Sequence, residues 1–465
     1  MQRTWNIETP AHVGETIKVN GWVQNIRRMG DKLAFIDLRD GTGIVQVVCY
    51  KPDLDEATNK AVDELSSEYV VEIEGIVNKR GEKQVKADLP TGTVELGVKT
   101  LKILNASETP PFEIDKDTMG VNEELRLKYR YLDLRSERLQ HHLRLRNLYV
   151  QACRQHLLKD RFVEIETPYL TKATPEGSRD FIVPSRLQPG KFFALPQSPQ
   201  QYKQLAMVAG FERYFQTARC FRDEDPRADR GFEHTQIDIE MSFVEREDVM
   251  QTIEAMITAS VESLGFTIKE KPFPRLSYKE SMERYGADKF DMRTEEDKAN
   301  KVLAYAWVVD FPFFEKTDEG GWTFTHNPFS QPKPEFLVDH LAGTNIEKIL
   351  TTQYDLVCNG YETGGGSIRA HDPKVLRATY KTMGYSDEEI DESVGHMLEA
   401  FTYGAPPHGG IGLGVERMIM ILTGETFLRE VQAFPMTGSA HTSVMDAPSA
   451  LPEKALDDAH IRLSA

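Results

Sequence analysis

Cysteine, long apolar runs and secretory features are scarce in this chain of 465 residues. The four cysteines, Cys49, Cys153, Cys220 and Cys358, are too scattered for a disulfide framework or for metal-ligand spacing. The longest apolar runs fall far short of the roughly 20 residues needed to cross a bilayer, and residues 1–10 lack the apolar segment of a secretory signal. We therefore expect reduced, buried thiols in a cytoplasmic protein.

Positive charge is also in deficit, because 73 acidic residues outnumber 56 lysines and arginines and give a formal net charge of -17. This balance argues against a protein that holds nucleic acid by general electrostatic attraction. Residues 121–160 are an exception, with nine Lys/Arg against five Asp/Glu, so any contact with a polyanion should be local. The content of 40% hydrophobic and 28% charged residues is that of a globular protein, and the length predicts two or three domains.

The first hundred residues have the pattern of a small β-barrel. Three strand-like segments, one helix-like segment and two further strand-like segments follow one another at 16–28, 32–40, 43–51, 53–68, 69–80 and 93–104. This order is typical of an OB-fold, which binds oligonucleotides on one sheet face. Phe35 on the second strand and Gln46 on the third suit stacking and edge recognition of unpaired bases, although Phe35 would equally serve as barrel core.

The segment after the barrel contains a predicted linker and then a predicted helix. Residues 105–122 contain a proline pair and little periodicity, which indicates a linker. Residues 123–161 then carry apolar residues at helical spacing between Leu139 and Leu157, which predicts a long amphipathic helix. Most of its basic residues are expected to form a solvated face.

The stretch Arg219–Phe243 combines a charged loop with an alternating strand. Gln236, Asp238 and Glu240 alternate with apolar residues, so the three polar side chains should share one face of a strand. A polar strand face beside a charged loop indicates the floor and lid of a site for a charged, phosphate-bearing ligand. A surface hairpin with salt bridges is the alternative.

Three further signals point to anion chemistry. Lys203 lies near the start of a helix predicted at Gln200, where a lysine opposes the helix dipole unless an anion is nearby; a solvent-facing lysine is the alternative. Asp355 and Glu362 flank an apolar strand segment and would suit Mg²⁺, or would be two strand-edge carboxylates. Alternating glycines precede Arg417 at the start of an apolar helix, a combination that stabilises anions.

Several of these segments resemble the motifs of class II aminoacyl-tRNA synthetases, and within them of the aspartyl-tRNA synthetases, over nearly the whole chain. VEIETP, ending at Pro168, resembles the first motif; FRDED and TQIDIEMSF resemble the second; GIGLGVERMIMILTG resembles the third. QSPQQYKQ, TPEGSRDF and GGGSIR are similar to the aspartyl branch, and the tail at 433–461 is similar to the bacterial type.

The resemblance implies an α+β protein with four parts. These are an OB-fold anticodon-binding domain at 1–104, a linker or hinge at 105–135, a catalytic domain with an antiparallel sheet flanked by helices at 136–440, and a C-terminal extension at 441–465. It also implies a homodimer through the Pro168 region and Mg²⁺ as cofactor. The implied reaction joins aspartate and ATP into aspartyl-adenylate and then transfers the aspartyl group to the terminal adenosine of tRNA.

The resemblance also implies a role for each matching residue. The implied catalytic residues are Arg222 and Arg417. The implied ATP contacts are Arg222, Glu224, His234, Glu362, Gly414, Val415, Glu416 and Arg417. The implied aspartate contacts are Glu176, Ser198, Gln200, Lys203, Arg222, Asp238, His326 and Arg369. Asp355 and Glu362 would hold the metal, and Arg27, Phe35, Gln46 and Glu95 would contact the anticodon.

The chain departs from the family at three places. His234 stands where a Phe stacks on adenine, and Gly231 where a Gln contacts ATP. A family histidine pair is reduced to His326-Asn327. Bacterial members carry a large insertion between the second and third motifs, where this chain has only 286–300, which we expect to be a short connecting loop.

The sequence also allows two other functions. One is an asparaginyl or lysyl relative. An asparaginyl enzyme should lack the cation pair of Lys203 and Arg369, which in the aspartyl branch binds the side-chain carboxylate and rejects asparagine. A non-catalytic relative that only binds tRNA should lack Arg222 or Arg417, and both are present. The sequence leaves open whether the enzyme charges only aspartate tRNA or asparagine tRNA as well.

Overall fold

A computed structural model describes residues 2–173 and 177–463. The chain forms two compact units, one up to residue 122 and one from residue 123. One of the implied aspartate contacts, Glu176, lies outside the described residues.

The first unit is a closed five-stranded barrel. Its elements are β1 Thr16–Met29, β2 Leu33–Asp40, β3 Gly43–Tyr50, helix α1 Glu56–Glu64, β4 Val70–Lys79 and β5 Val94–Asn105. The barrel order is β1-β2-β3-β5-β4. Buried residues alternate with half-buried ones along β2, so Ala34, Ile36 and Leu38 fill the barrel while Phe35 faces outward. The predicted OB-fold is confirmed, and Phe35 is not barrel core.

The second unit contains the remaining elements. Its helices are α2 Glu123–Lys128, α3 Arg130–Asp133, α4 Glu137–Lys159, α5 Gln200–Val208, α6 Arg246–Ser263, α7 Tyr278–Tyr285, α8 Glu295–Ala299, α9 Leu337–Ala342, α10 Pro373–Thr382, α11 Asp387–Phe401, α12 Val415–Thr423 and α13 Glu453–Asp458. Its strands are β6 Val163–Glu164, β7 Ile182–Pro184, β8 Phe192–Ala194, β9 Arg213–Phe221, β10 Glu233–Ser242, β11 Arg275–Ser277, β12 Tyr305–Val309, β13 Phe314–Lys316, β14 Trp322–Phe324, β15 Tyr354–Cys358, β16 Tyr361–Ile368 and β17 His408–Gly414.

One eight-stranded sheet organises this unit, in the order β11-β12-β15-β16-β17-β10-β9-β6. Its pairs are antiparallel except at the two ends, where β11 with β12 and β6 with β9 are parallel. Ile237, Ile239 and Ile411 on one face join the apolar core formed with α4, α6 and α12. The strand alternation therefore leaves Asp238 and Glu240 on the opposite, polar face, as predicted.

The prediction of one helix over 123–161 is wrong in its first part, which forms the short helices α2 and α3 before α4. Arg130 is 1% exposed and donates to the backbone carbonyls of Arg429, Gln432 and Ala433 at 2.7–3.0 Å. These tertiary hydrogen bonds hold the chain away from a continuous helix. The expectation of a solvated basic face also fails for this residue and for Arg126, which is 4% exposed.

Smaller elements also differ from the predictions. The segment 286–300 is not merely a loop, because it contains α8, whose N-cap Thr294 accepts a hydrogen bond from the backbone of Asp297. Between residues 305 and 324, β13 pairs with β14 as a short hairpin, while β12 belongs to the main sheet. Across the described residues, no helix is long and apolar enough to cross a membrane.

Candidate active site

The candidate site follows a row of residues across four neighbouring strands. Asp355 of β15 lies opposite Gly365 of β16, which lies opposite Gly412 of β17, which lies opposite Asp238 of β10. With strands about 4.8 Å apart, the two carboxylate-bearing residues are separated by roughly 14 Å. The row is thus a trough with glycine backbone as its floor and an acid at each end.

The two glycines are required for the trough to stay open. A Cβ on Gly412 would lie 3.1 Å from Oε1 of Gln236 and 3.4 Å from Oδ1 of Asp238, and one on Gly365 would lie 2.9 Å from Oδ1 of Asp355. A cavity of about 310 Å³ lies over this floor. Because no side chain intervenes, a bound molecule can approach the backbone closely.

Most of the residues predicted for aspartate and ATP line this cavity. They are Ser198, Gln200, Lys203, Arg222, Glu224, His234, Asp238, His326, Glu362, Arg369, Gly414, Glu416 and Arg417. Two predicted residues are not among the lining residues. The side chain of Val415 is 1% exposed and packs in the apolar core, and Asp355 is only 2% exposed, beside Gly365.

One end of the cavity holds a buried group of two cations and two carboxylates. Nζ of Lys203 lies 2.8 Å from Oδ1 of Asp238 and 3.4 Å from Oε2 of Glu240. The Arg369 guanidinium donates to both oxygens of Glu240, at 2.8 and 3.1 Å, and to Oγ of Ser367 at 2.9 Å. The four charged side chains are at most 2% exposed. The alternative of a solvent-facing Lys203 is therefore wrong.

Electrostatics at this end keep the Glu240 carboxylate ionised. Burial alone would raise the pKa of Glu240, but the nearby charges of Arg369 and Lys203 outweigh it, so this pKa lies below its ordinary value. Glu240 was not among the predicted site residues. The period-2 alternation had already placed it on the polar face with Asp238, but the family resemblance implied no ligand contact for it.

Two buried polar atoms in the site have no hydrogen-bond partner among the residues that the structure describes. They are Oδ2 of Asp238 and Nε of Arg222. Buried polar groups are almost always paired in folded proteins, and each exception requires a physical reason. Because both residues line the cavity, an incoming cationic group at Asp238 and an incoming anion at Arg222 would satisfy them.

The opposite end of the cavity carries charges from three distant segments. Arg417 at the start of α12 donates to the carbonyl oxygen of Glu362 at 3.0 Å and pairs with Asp229 at 3.2 Å. Lys289 pairs with Glu362 at 2.8 Å. Burial would raise the pKa of Glu362, but Lys289 and Arg417 lower it to about 2, so this carboxylate is fully ionised at neutral pH.

Asp355 and Glu362 approach the same point of the trough. A Cβ on Gly365 would lie 2.9 Å from Oδ1 of Asp355 and 3.6 Å from Oε1 of Glu362. His326 lies 3.2 Å from Oδ2 of Asp355, and burial raises the pKa of this carboxyl although His326 opposes the shift.

Within the part of the chain that the structure describes, no three metal-binding side chains form a closed cluster. Mg²⁺ keeps several waters and is commonly held by one or two carboxylates together with substrate phosphates. The convergence of Asp355 and Glu362 over Gly365 therefore fits Mg²⁺ that arrives with a nucleotide.

The third region of the cavity surrounds His234. Burial, together with Arg222, Arg417 and Arg219, lowers the pKa of His234 to about 3, so the ring is neutral at pH 7. Glu224 is held by a hydrogen bond from Oγ of Ser178 and lies 3.8 Å from Arg230.

Glu416, in the first turn of α12, ties this region to that helix. Its carboxylate accepts from the backbone N–H of Thr235 at 2.9 Å and from Arg146 at 3.1 Å. These contacts fix the start of the strand that presents His234.

The four residues predicted for the anticodon lie close together on the outer face of the barrel. The Arg27 guanidinium lies 6.0 Å from the ring centre of Phe35, and these two residues face each other across β1 and β2. Gln46 donates to Glu95 at 3.3 Å. An aromatic ring beside a cation, an amide and a carboxylate offers both a stacking surface and groups that can read base edges.

Sequence reasoning missed several residues of the site. Asn327, Phe329, Gln353 and Gly365 line the cavity, and no contact with a ligand was predicted for them. Nothing in the local sequence around Phe329 or Gln353 distinguishes them from core positions, since only the tertiary fold brings their segments to the trough.

Each of the two units matches a known protein family. The family described as tRNA synthetases class II (D, K and N) matches residues 122–438, and that described as OB-fold nucleic acid binding domain matches residues 17–104. The aspartate–tRNA ligase of Macrococcus caseolyticus is 38% identical, with 98% of this chain and 97% of the relative covered. That of Staphylococcus aureus strain NCTC 8325 is 37% identical, with 98% of each covered.

Solved structures show the same fold. The asparaginyl-tRNA synthetase of Pyrococcus horikoshii complexed with asparaginyl-adenylate has a TM-score of 0.76 and 25% identity, over 94% of this chain and 98% of that one. The aspartyl-tRNA synthetase of Entamoeba histolytica has a TM-score of 0.74 and 22% identity, over 94% and 91%.

An OB-fold barrel together with this sheet and site defines a class II tRNA synthetase of the group named for aspartate, lysine and asparagine. Within that class the chain belongs to the aspartate–tRNA ligase family. The alignment with the Macrococcus relative spans 580 positions although this chain has only 465 residues, so the relative contains many positions without a counterpart here. This agrees with the compact form predicted from the short segment 286–300.

Proposed function

We propose that the described cavity is where this aspartate–tRNA ligase joins L-aspartate to ATP, releases pyrophosphate, and passes the aspartyl group to the 3′-terminal adenosine of tRNA(Asp). The observation that carries the proposal is the buried pair of cations, Lys203 and Arg369, beside the unpaired oxygen of Asp238. Aspartate carries two carboxylates and one ammonium, so this end of the cavity offers a partner for its side chain and for its amine.

Recognition of the side-chain carboxylate falls to Lys203 and Arg369. Each is already near a carboxylate of the protein, so the substrate joins an existing charge network and no bare cation is left in the empty site. Asparagine would present an amide whose NH₂ group faces two cations, and would lose a charge-assisted hydrogen bond worth about 1.5–3 kcal/mol. Ser198, Gln200, Asp238 and His326 would surround the rest of the amino acid, with Glu176 assigned to the ammonium by family resemblance.

The chemistry requires positioning and charge stabilisation and no side-chain nucleophile, because the substrate carboxylate attacks the α-phosphorus. Arg222, with its unpaired buried Nε, would hold the attacking carboxylate and the α-phosphate. Arg417 would hold the distal phosphates as pyrophosphate leaves. Both cations stabilise charge that moves during the in-line displacement.

Asp355 and Glu362 would hold Mg²⁺. When bound, the metal neutralises phosphate charge that the two arginines alone do not cover. Removal of divalent ions with EDTA should stop adenylate formation, and activity that persists in EDTA would contradict this assignment.

Adenine would stack on the neutral ring of His234, with Glu224 accepting from its exocyclic amino group and Gly414 and Glu416 beside it. We expect His234→Phe to keep the KM for ATP within about threefold of the natural enzyme, because both rings offer a flat stacking surface. His234→Ala, which removes the ring, should raise this KM by about tenfold, in line with the 1–3 kcal/mol that base stacking contributes. Equal KM values for the three proteins would exclude stacking at this position.

The outer face of the barrel would read the anticodon through Arg27, Phe35, Gln46 and Glu95. We expect Phe35→Ala to weaken tRNA(Asp) binding by roughly ten- to a hundredfold, because one stacked base contributes about 1–3 kcal/mol. Aspartate-dependent pyrophosphate exchange should not change, since this step needs no tRNA.

Trp5→Ala is the matched control for the barrel, because Trp5 is an exposed aromatic under an arginine, Arg3, in the same unit. It should leave the Kd for tRNA(Asp) unchanged. Equal weakening by both substitutions would point to damage to the barrel and not to stacking.

A homodimer through the segment around Pro168 is part of the proposal. β6 is an edge strand of only two residues, and Val163 within it and Leu170 beyond Pro168 are 46% and 53% exposed. Exposed apolar side chains beside a sheet edge support an interface. Sedimentation should give the mass of two chains, and a monomer would contradict it.

A cytoplasmic location is supported by the buried free cysteines and is testable by cell fractionation.

Aminoacylation of separated tRNAs tests the function as a whole. Radiolabelled aspartate should become acid-precipitable on tRNA(Asp), and the same assay with tRNA(Asn) decides whether both are charged. Charging of neither tRNA would support the non-catalytic alternative.

A further inference from the structure

A chain of buried hydrogen bonds runs from the body of the second unit to the wall of the cavity. His408 is 0% exposed, and its Nδ1 lies 2.7 Å from the carbonyl oxygen of Pro406. Its Nε2 lies 3.1 Å from Nε2 of Gln204, which is also 0% exposed. Oε1 of Gln204 accepts from Nε2 of Gln200 at 3.0 Å, and Gln200 lines the cavity.

Each bond in this chain fixes the direction of the next. A carbonyl oxygen only accepts, so Nδ1 of His408 carries the proton that it donates to Pro406. Burial lowers the pKa of His408 to about 4, so the ring is neutral at pH 7 and its Nε2 accepts from the amide nitrogen of Gln204. The amide oxygen of Gln204 is then turned toward Gln200 and accepts from its nitrogen. With its nitrogen engaged by Gln204, the oxygen of Gln200 is the amide atom available to a ligand in the cavity that Gln200 lines.

We propose that Gln204 and His408 are positioning residues that hold the side-chain amide of Gln200 with its oxygen toward the ligand, as an acceptor for the α-ammonium of aspartate. A free glutamine amide has two orientations of similar energy, one of which would present NH₂ groups to a cation. This inference rests on the proposed function, since it assumes that the ammonium binds at this end of the cavity.

His408 also contacts the recognition site for the substrate side chain. Its backbone carbonyl accepts from the backbone N–H of Arg369 at 2.9 Å. The same residue therefore supports both the amide that faces the ammonium and the strand end that carries the cation for the side-chain carboxylate.

The test is a double-mutant cycle with Gln204→Met and Gln200→Ala, read out as KM for aspartate in pyrophosphate exchange. Gln204→Met keeps the unbranched shape but removes both hydrogen bonds, and should raise the KM for aspartate by about tenfold, the low end of the effect of a hydrogen bond to a charged group. KM for ATP should change by less than about twofold, because a residue that acts only through Gln200 does not act at the nucleotide.

In the Gln200→Ala background, Gln204→Met should have almost no further effect. Two residues that act through one contact are non-additive, whereas independent effects add. Additive effects, or equal rises in the KM values for aspartate and ATP, would overturn the inference. If Gln204→Met does not fold, Gln204→Glu, which keeps an oxygen toward Gln200 at the same volume, replaces it and should raise the aspartate KM less than Gln200→Ala does.

Gln201→Met is the matched control. Gln201 lies on the same helix, is 8% exposed and bonds to a histidine, His396, at 2.6 Å, but does not line the cavity. It should leave both KM values unchanged. The Gln200→Ala variant distinguishes failure of the proposed function from failure of the positioning role. If Gln200→Ala leaves the KM for aspartate unaltered, the proposed amino-acid pocket is wrong. If Gln200→Ala raises this KM but Gln204→Met does not, only the positioning role fails.

Discussion

Replacement of Arg417 by alanine is expected to lower aspartate-dependent pyrophosphate exchange by about 10³-fold or more, the range found when an arginine that stabilises transferring phosphate is removed. Arg417 reaches the cavity from the start of α12, where its guanidinium is held by the Glu362 carbonyl and by Asp229. A helix start already favours anions, so the arginine and the helix act on the same phosphate.

The loss should appear in the chemical step and not in tRNA affinity. The Kd for tRNA(Asp) should stay within about twofold, because much of that affinity comes from the barrel face and from backbone phosphates. Arg275→Ala is the control: Arg275 pairs with Glu247 and Glu254 and does not line the cavity, and its loss should leave exchange unaltered. Exchange that survives in Arg417→Ala would show that this residue does not hold the phosphates.

Replacement of Lys203 by methionine should have the second large effect, a fall of about 10³-fold in kcat/KM for aspartate. The substitution removes a charge-assisted contact to the substrate, worth about 1.5–3 kcal/mol. It also leaves Asp238 and Glu240 with Arg369 as their only cationic neighbour among the described residues, so two buried carboxylates repel the incoming aspartate. The preference for aspartate over asparagine should shrink for the same reason.

Stability should fall with activity in this variant. Breaking a buried ion pair by removing one partner costs about 3–5 kcal/mol. Lys269→Met is the control, because Lys269 pairs with Asp297 at 2.6 Å near the surface, where an ion pair contributes at most about 1 kcal/mol. Unfolding monitored by circular dichroism measures both. A Lys203→Met enzyme with ordinary aspartate kinetics would remove this residue from the specificity site.

The parts of the fold that were predictable are those with a local pattern. The order of strand-like and helix-like segments predicted the barrel, although the orientation of Phe35 on β2 was left open. Alternation in β10 separated Asp238 and Glu240 from Ile237 and Ile239. Glycine spacing before Arg417 likewise indicated a close approach to ligand. In each case the information lies within a few residues of sequence.

The parts that were not predictable depend on contacts between distant segments. The break before α4 follows from Arg130, whose partners lie about 300 positions away. Leu148 has helical spacing with its neighbours but is 52% exposed, because the packed face of α4 runs through Leu145 and Tyr149. Lys289 meets Glu362 only in the folded protein, so no local motif marks it.

The site likewise has features that were predictable from sequence and features that depend on the tertiary fold. Family resemblance supplied most of the residues that line the cavity, but it gave no reason for the charge balance around Lys203. Lys203, Glu240 and Arg369 come from separate segments of the chain, so this balance exists only in the folded protein. The row of Asp355, Gly365, Gly412 and Asp238 is likewise a property of strand register, which the sequence of any one strand does not contain.

The central claim is that this cavity activates aspartate through Lys203 and Arg369. The most direct test is ATP–pyrophosphate exchange by the purified natural enzyme with aspartate, asparagine and lysine in turn. Exchange should require aspartate and Mg²⁺ and should be absent with the other two amino acids. Exchange supported by asparagine or lysine but not by aspartate would contradict the assignment.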